Sequence, residues 1–180
     1  MIPKIIDNLF SDERFERLKQ SLMSQSHNYK WDETFGRRSV MHWDQPLLQI
    51  YNNFLISTAR EIFQNSTMIP TYSQYIEYSG KNANLFHHVD TNACTYTIDV
   101  LIHQKTPWPL WVDNKEFTLI ENQGLAYLGN DQEHWREAFP DPENNVVGMA
   151  LFHFSEPDHW YFTEGPEYKK KIFSKQNGIM

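Results

Sequence analysis

Residues 96–129 read YTIDVLIHQKTPWPLWVDNKEFTLIENQGLAYLG, and this stretch decides the fold. It consists of short apolar and aromatic runs separated by Asp, Asn, Gly and Pro, which favour turns. Residues 96–102 alternate apolar with polar side chains and predict a half-buried strand. Further short strands are predicted around Trp111, at residues 117–120 and at residues 125–128. Many short strands with turns between them are typical of a sandwich or barrel.

The flanking segments predict helices first and strands afterwards. Residues 146–154 are apolar on both faces, as expected of a strand buried between layers, and residues 72–78 predict another strand rich in Tyr. In the first third of the chain, Ser11 is a candidate helix cap, and a second helix is expected to begin near Asp44, as its cap, and Pro46. Because helices and strands do not alternate, the fold class is mainly β (α+β) and not parallel α/β.

Composition and charge narrow the class of protein further. The 180 residues contain 40% apolar and 22% charged residues without a repeat or linker, so we expect one domain over residues 1–180. The net charge of −7 disfavours nucleic acid as a partner, and the basic run at residues 169–171 is expected to be a solvated helix face. Cys94 is the single cysteine, which predicts a reducing, cytoplasmic setting. The N-terminal residues predict neither a signal peptide nor a membrane span.

The segment FHHVD at residues 86–90 carries the first metal-binding pattern. In an extended chain, side chains two residues apart point the same way, so His88 and Asp90 are expected to face one cavity. His134, which follows a strand and a turn, is the candidate third ligand. Two imidazoles and one carboxylate form the facial triad of non-haem Fe(II), which leaves three coordination positions open. A His-x-Asp triplet also recurs by chance, and His87 is an alternative ligand with His88 merely packed.

Several motifs along the chain resemble those of a known family. Three segments carry the similarity. The first is the lead-in at residues 2–10, and the second is YIEYSG at residues 75–80 followed by the His88–Asp90 triplet. The third is GLAYLG at residues 124–129 followed by HWRE at residues 134–137. This set resembles the Fe(II)/2-oxoglutarate-dependent dioxygenases of the prolyl-4-hydroxylase-like group. It is most similar to small members encoded by marine phages and bacteria.

The resemblance implies a double-stranded β-helix, or jelly roll, with N-terminal helices packed on one sheet. It implies His88, Asp90 and His134 as ligands of Fe(II), with 2-oxoglutarate as cosubstrate and O₂ as oxidant. 2-Oxoglutarate would be converted to succinate and CO₂ while a substrate C–H bond is hydroxylated. The substrate would be a small molecule or a peptide, and a peptidyl residue such as proline is suggested by family analogy alone.

One feature departs from the family pattern. Family members place an Arg or Lys after the distal His to bind the far carboxylate of 2-oxoglutarate, yet the sequence has neither between Arg136 and Lys169. Arg136 is the replacement candidate, because it stands two residues after His134 and guanidinium binds carboxylates bidentately. The alternative is a surface Arg paired with an adjacent glutamate.

Two further side chains are candidate cosubstrate contacts. His153 follows apolar residues on one face of its strand, which is typical of a core histidine, although a protonated ring could hold a carboxylate. Tyr78 could donate its hydroxyl to the cosubstrate, and its alternative is core packing. Two other functions stay open: a non-catalytic, cupin-like module that binds a metal or small ligand, and a metal cupin enzyme that does not use 2-oxoglutarate.

Overall fold

The computed structural model describes residues 1–164, in which strands form two antiparallel sheets. In chain order the strands are β1 (Lys4–Ile6), β2 (Lys30–Asp32), β3 (Arg37–Met41), β4 (Ile69–Ser79), β5 (Leu85–His88), β6 (Tyr96–Gln104), β7 (Leu110–Val112), β8 (Lys115–Phe117), β9 (Gly124–Tyr127), β10 (His134–Arg136) and β11 (Val146–Ser155). The larger sheet has the order β1-β9-β6-β11-β4-β3-β2, and the smaller has the order β5-β10-β7-β8. This is the jelly roll that the resemblance implied.

The helices lie at the two ends of the described chain. They are α1 (Asp12–Gln25), α2 (Pro46–Phe63) and the short α3 (Trp160–Thr163). Ser11 is the N-cap of α1 as predicted, but its side chain makes no capping hydrogen bond. The prediction of Asp44 as a cap is wrong, because Gln45 is the N-cap and Pro46 occupies the first turn of α2, where its missing N–H costs nothing.

Two apolar clusters hold these layers together. The first lies between the helices and the larger sheet, and it includes Leu18 and Leu48 from the helices and Phe152 from β11. The second lies between the two sheets, and it includes Leu101 and Val112. The N-terminal helices therefore cover the outer face of the larger sheet, as predicted, and the inner face is left to form a cavity with the smaller sheet.

Three sequence predictions need correction. The first third is not only helical, because it also contains β1, β2 and β3; each has only three to five residues, too few for a period to show. The strand predicted at residues 117–120 is instead β8, which ends at Phe117. β6 is buried on both faces and not half-buried. Thr97 and Asp99, on the face that was expected to be polar and open, are 0% and 6% exposed, because this face is turned toward the smaller sheet.

Within residues 1–164, no helix combines the length and the apolar character needed to cross a membrane. The predicted basic helix face at residues 169–171 lies outside the described residues.

Candidate metal centre

Strand pairing brings the three predicted ligands together. β5 runs antiparallel to β10, and their register places His134 directly opposite His88. Facing residues on neighbouring strands have Cβ atoms about 5 Å apart, so both imidazoles reach one point. Asp90 follows β5, and its backbone N–H donates to the carbonyl of Gly129 at 2.8 Å, which ties it to the end of β9. The ladder therefore positions the two imidazoles, and a backbone hydrogen bond positions Asp90.

The ligand atoms are spaced as a metal centre requires. The Nε2 atoms of His88 and His134 each lie 3.7 Å from Oδ1 of Asp90, and the ligand atoms of all three residues lie within 4.8 Å of one another. Three ligands on one octahedral face at about 2.1 Å from an ion are about 3 Å apart. A small inward movement of these side chains would complete the coordination.

Backbone carbonyls fix the tautomer of both imidazoles. Nδ1 of His88 donates to the carbonyl of Phe86 at 2.7 Å, and Nδ1 of His134 donates to that of Gln132 at 3.0 Å. Because a carbonyl only accepts, the proton lies on Nδ1, and the Nε2 lone pair of each neutral ring points toward Asp90. This is the usual outer hydrogen bond of metal-bound histidines. The three residues thus fit a divalent ion.

Gln132 is a supporting residue that the sequence analysis did not identify. Its Oε1 accepts from the N–H of Leu128 at 2.9 Å, and its Nε2 donates to Oδ2 of Asp113 at 2.6 Å. The side chain therefore braces the turn between β9 and β10, and the carbonyl of the same residue orients His134. The position of this Gln, two residues before a candidate ligand, was the signal in the sequence that could have identified it.

Burial controls the protonation of the three ligands. It lowers the pKa of His134 to about 4, with a further contribution from His88, and it also lowers the pKa of His88, on which the charge of Arg37 acts in the same direction. Burial raises the pKa of Asp90 well above its ordinary range, and the charge of Asp99 adds to this. Both imidazoles are therefore held neutral and ready to coordinate, whereas the Asp90 carboxylate lacks a compensating positive charge.

The alternative assignment of His87 as the ligand does not fit the geometry. His87 points to the outer face of β5, where its ring stacks on Trp135 at 3.9 Å and its Nδ1 lies 3.6 Å from Oε2 of Glu133. Its side chain is 56% exposed. Trp135 in turn stacks on Trp111, so His87 belongs to an aromatic surface on this face of the smaller sheet and not to the group formed by His88, Asp90 and His134.

The predicted ligands open into a cavity of about 400 Å³ between the two sheets. Arg136 and Tyr78 line it, together with Tyr127 and the unpredicted residues Arg37 and Asp99. Tyr78 is 3% exposed and its ring lies edge-on to that of Trp108 at 5.1 Å. The packing role weighed for Tyr78 is therefore observed, while its hydroxyl contact with the cosubstrate stays a prediction.

Arg136 is buried at the cavity wall and is not a surface residue. It is 9% exposed, its guanidinium carbon lies 4.8 Å from the ring centre of Trp108, and Nη1 donates to the carbonyl of the same Trp. Among residues 1–164 it makes no ion pair, so the pairing with Glu133 or Glu137 is absent. Burial lowers its pKa.

Asp99 and Tyr127 form a polar pair on the cavity wall, and the sequence analysis did not single out Asp99 for this role. The Tyr127 hydroxyl donates to Oδ2 of Asp99 at 2.9 Å, while Oδ1 is buried without a partner among the described residues. Burial raises the pKa of Asp99 to about 7, although the hydrogen bond and the charge of Arg136 lower it. An Asp within an apolar strand was the signal, but alternation suggested an outward position.

His153 lies behind the metal centre. Its Nδ1 is 3.1 Å from Oγ1 of Thr97, its Nε2 has no partner among the described residues, and its ring packs on Tyr72 at 4.5 Å. It does not line the cavity. Burial lowers its pKa to about 3, so the ring is neutral at ordinary pH. This arrangement favours the core interpretation of His153 over a contact with a carboxylate.

Comparison with solved structures identifies the class of this fold. No family model matches the sequence, and no curated protein matches it. The structure of EctD from S. alaskensis with bound Fe superimposes with a TM-score of 0.68 at 12% identity, over 89% of this chain and 78% of that one. HygX from Streptomyces hygroscopicus, solved with nickel, 2-oxoglutarate and hygromycin B, gives 0.67 at 10%, over 87% and 83%. A Pseudomonas putida prolyl-4-hydroxylase gives 0.60 at 9%, over 84% and 91%.

The chain therefore has the fold of the 2-oxoglutarate- and Fe(II)-dependent oxygenases, as its motifs suggested. At this level of identity the comparison defines the fold, and the assignment of chemistry depends on the residues of the cavity.

Proposed function

We propose that this protein is a 2-oxoglutarate-dependent oxygenase in which His88, Asp90 and His134 hold Fe(II). The observation that carries the proposal is the pairing of His88 with His134 across β5 and β10, with both Nε2 atoms 3.7 Å from the same carboxylate oxygen of Asp90. Three protein ligands on one face leave three positions for a cosubstrate and O₂. Bound Fe(II) would supply the oxidation of a substrate C–H bond, coupled to conversion of 2-oxoglutarate to succinate and CO₂.

Arg136 is proposed to bind the distal carboxylate of 2-oxoglutarate. A buried cation is costly unless it is paired, and the acceptor found for Arg136 among the described residues is a neutral carbonyl. Its position on β10, two residues after His134, directs it into the cavity that holds the ligands. A dicarboxylate that reaches from the metal to Arg136 would supply the missing negative charge, and Tyr78 lies on the same wall.

The proposed reaction is the hydroxylation of a small molecule or of a peptide side chain. Structural neighbours include a prolyl-4-hydroxylase and a protein crystallised with hygromycin B, so peptidyl proline stays a hypothesis from analogy. The cytoplasmic setting predicted from the single cysteine is likewise part of the proposal.

Anaerobic titration tests the metal and cosubstrate together. Fe(II) followed by 2-oxoglutarate is expected to produce a visible charge-transfer band, which requires direct chelation of the iron by the cosubstrate. In air, with saturating iron, the protein is expected to form succinate. Iron binding without the band, and without succinate, would favour the non-catalytic binding module or a metal cupin enzyme that does not use 2-oxoglutarate.

Substitution of Arg136 tests the anchor separately. Arg136→Met keeps a long unbranched side chain, although a shorter one, and removes its charge. The dissociation constant for 2-oxoglutarate should therefore rise by at least about thirtyfold, corresponding to the roughly 2–5 kcal/mol lost when one partner of a buried charge pair is removed. Arg136→Lys should restore part of the affinity. Binding of Mn(II) should not change in either variant. Unaltered 2-oxoglutarate affinity in Arg136→Met would assign the anchor to another residue.

A further inference from the structure

A second cation lies at the mouth of the same cavity. Arg37, the first residue of β3, lines the cavity together with the proposed ligands, and its guanidinium carbon lies 4.6 Å from the ring centre of Phe35. It is only half-buried. No ion pair within 4.0 Å involves it in the part of the chain that the structure describes. Its charge is therefore available to a ligand that enters the cavity.

Exposed apolar side chains adjoin this cation. The ring of Phe86 lies 6.2 Å from that of Phe35, and Phe86 is 65% exposed although it lies on the strand that carries His88. Val89, between the two ligands of that segment, is 49% exposed. Large apolar groups exposed around a concave site, with one charge among them, are typical of a surface that binds a ligand.

The two arginines mark two separate anion positions. Arg136 lies on β10 of the smaller sheet and is 9% exposed, whereas Arg37 lies on β3 of the larger sheet and is half-buried. Arg37 is paired in register with Tyr78, so its strand forms the rim of the cavity wall to which Tyr78 belongs. With 2-oxoglutarate held by Arg136, as proposed above, Arg37 is left for the other reactant.

We propose that Arg37 binds a carboxylate of the substrate and that the apolar body of this substrate lies against Phe35 and Phe86. This inference rests on the proposed function and names its substrate class: a carboxylic acid with an apolar skeleton. Guanidinium recognises carboxylate through two parallel hydrogen bonds, and the rings accept the apolar part.

Matched pairs of acid and amide test the proposal on the Fe(II)- and 2-oxoglutarate-loaded protein without oxygen. Hexanoate and phenylacetate are titrated against hexanamide and phenylacetamide, with calorimetry and the shift of the visible charge-transfer band as readouts. Each acid should bind at least tenfold more tightly than its amide. Arg37→Gln should abolish this preference while the dissociation constant for 2-oxoglutarate stays the same. Phe86→Ser should weaken phenylacetate and phenylacetamide by similar factors.

Arg38→Gln is the matched control. Arg38 is the next residue of β3, and its side chain instead contacts the carbonyl of Ser26 and the ring of Trp31, so the preference for acids should persist. Equal binding of acid and amide by the loaded wild-type protein overturns the proposal, and so does a large rise in the 2-oxoglutarate dissociation constant in Arg37→Gln. Failure of every variant and of the wild type to bind 2-oxoglutarate overturns the proposed function itself, and the substrate class with it.

Discussion

Gly129 offers a sharp test of the metal centre, because its missing side chain makes room for Asp90. A Cβ atom at this position would lie 2.5 Å from Oγ1 of Thr97 and 2.7 Å from both Oδ2 of Asp90 and the carbonyl oxygen of Cys94. The residue does not have a positive φ, so the requirement for glycine is one of space. Gly129→Ala must therefore displace the Asp90 carboxylate from its place between the two imidazoles.

Two magnitudes follow for Gly129→Ala. Overpacking costs about 1–3 kcal/mol of unfolding free energy, and displacement of a group that positions a ligand weakens metal binding by about 10–100-fold. Urea denaturation of the metal-free protein measures the first, and calorimetric titration with Mn(II) measures the second.

Gly148→Ala is the control for this experiment. Its Cβ would press on His103 and on the Tyr75 hydroxyl, at a position on β11 away from the metal centre. It should lose a similar amount of stability and keep the wild-type affinity for Mn(II). Wild-type Mn(II) affinity in a folded Gly129→Ala protein would refute the assignment of Asp90 as a ligand held in place by this close contact.

Three further predictions concern stability and the cavity wall. Asn122→Ala removes two buried hydrogen bonds to the backbone of Phe10, at 3.0 and 2.8 Å. It should lower the free energy of unfolding by about 2–4 kcal/mol and leave Mn(II) binding unchanged. A loss of unfolding free energy below about 0.5 kcal/mol would contradict this prediction. Burial lowers the pKa of His153 to about 3 in the folded protein, so the unfolded chain takes up a proton at a higher pH than the folded protein does. The free energy of unfolding of the metal-free protein should therefore fall by up to about 1.4 kcal/mol per pH unit as the pH drops below the ordinary histidine range. Urea midpoints across this range should decline less in His153→Gln, and an equal decline would assign the effect elsewhere. Trp108→Leu keeps the backbone carbonyl that accepts from Arg136 but removes the ring that packs against the guanidinium. It should weaken 2-oxoglutarate binding by about two- to tenfold, measured by titration of the charge-transfer band. Unchanged affinity would show that the ring does not position the guanidinium.

A local pattern was sufficient to predict that two of the three candidate ligands face one cavity. His88 and Asp90 are two residues apart, and a strand needs only that spacing to direct both to one side. The meeting of His134 with His88 depends on the register of β5 against β10, which is a contact between distant segments. The setting of His134 after a strand and a turn made it a candidate, and the resemblance implied the same contact. Periodicity alone could not give it, because periodicity describes single strands and not their partners.

The unpredicted features depend on tertiary structure. β1 pairs with β9, more than a hundred residues away, so its three residues carried no local signal. Arg37 lies in the segment that was interpreted as helical, and it therefore was not considered for the cavity. Asp99 was assigned to a solvent face because alternation distinguishes two faces of a strand but does not tell which face a second sheet will cover.

The position of β5 in the smaller sheet has a consequence for folding and metal loading. Among the described strands β5 is an edge strand of this sheet and pairs with β10 alone, yet it and the residues just after it carry two of the three candidate ligands. An ion shared by His88, Asp90 and His134 would link this edge strand to β10, its neighbour in the interior of the sheet. Backbone amides of β5 should then exchange with solvent quickly before metal is added and slowly afterwards. Metal binding would therefore also stabilise the pairing of β5 with β10, as the last step of folding.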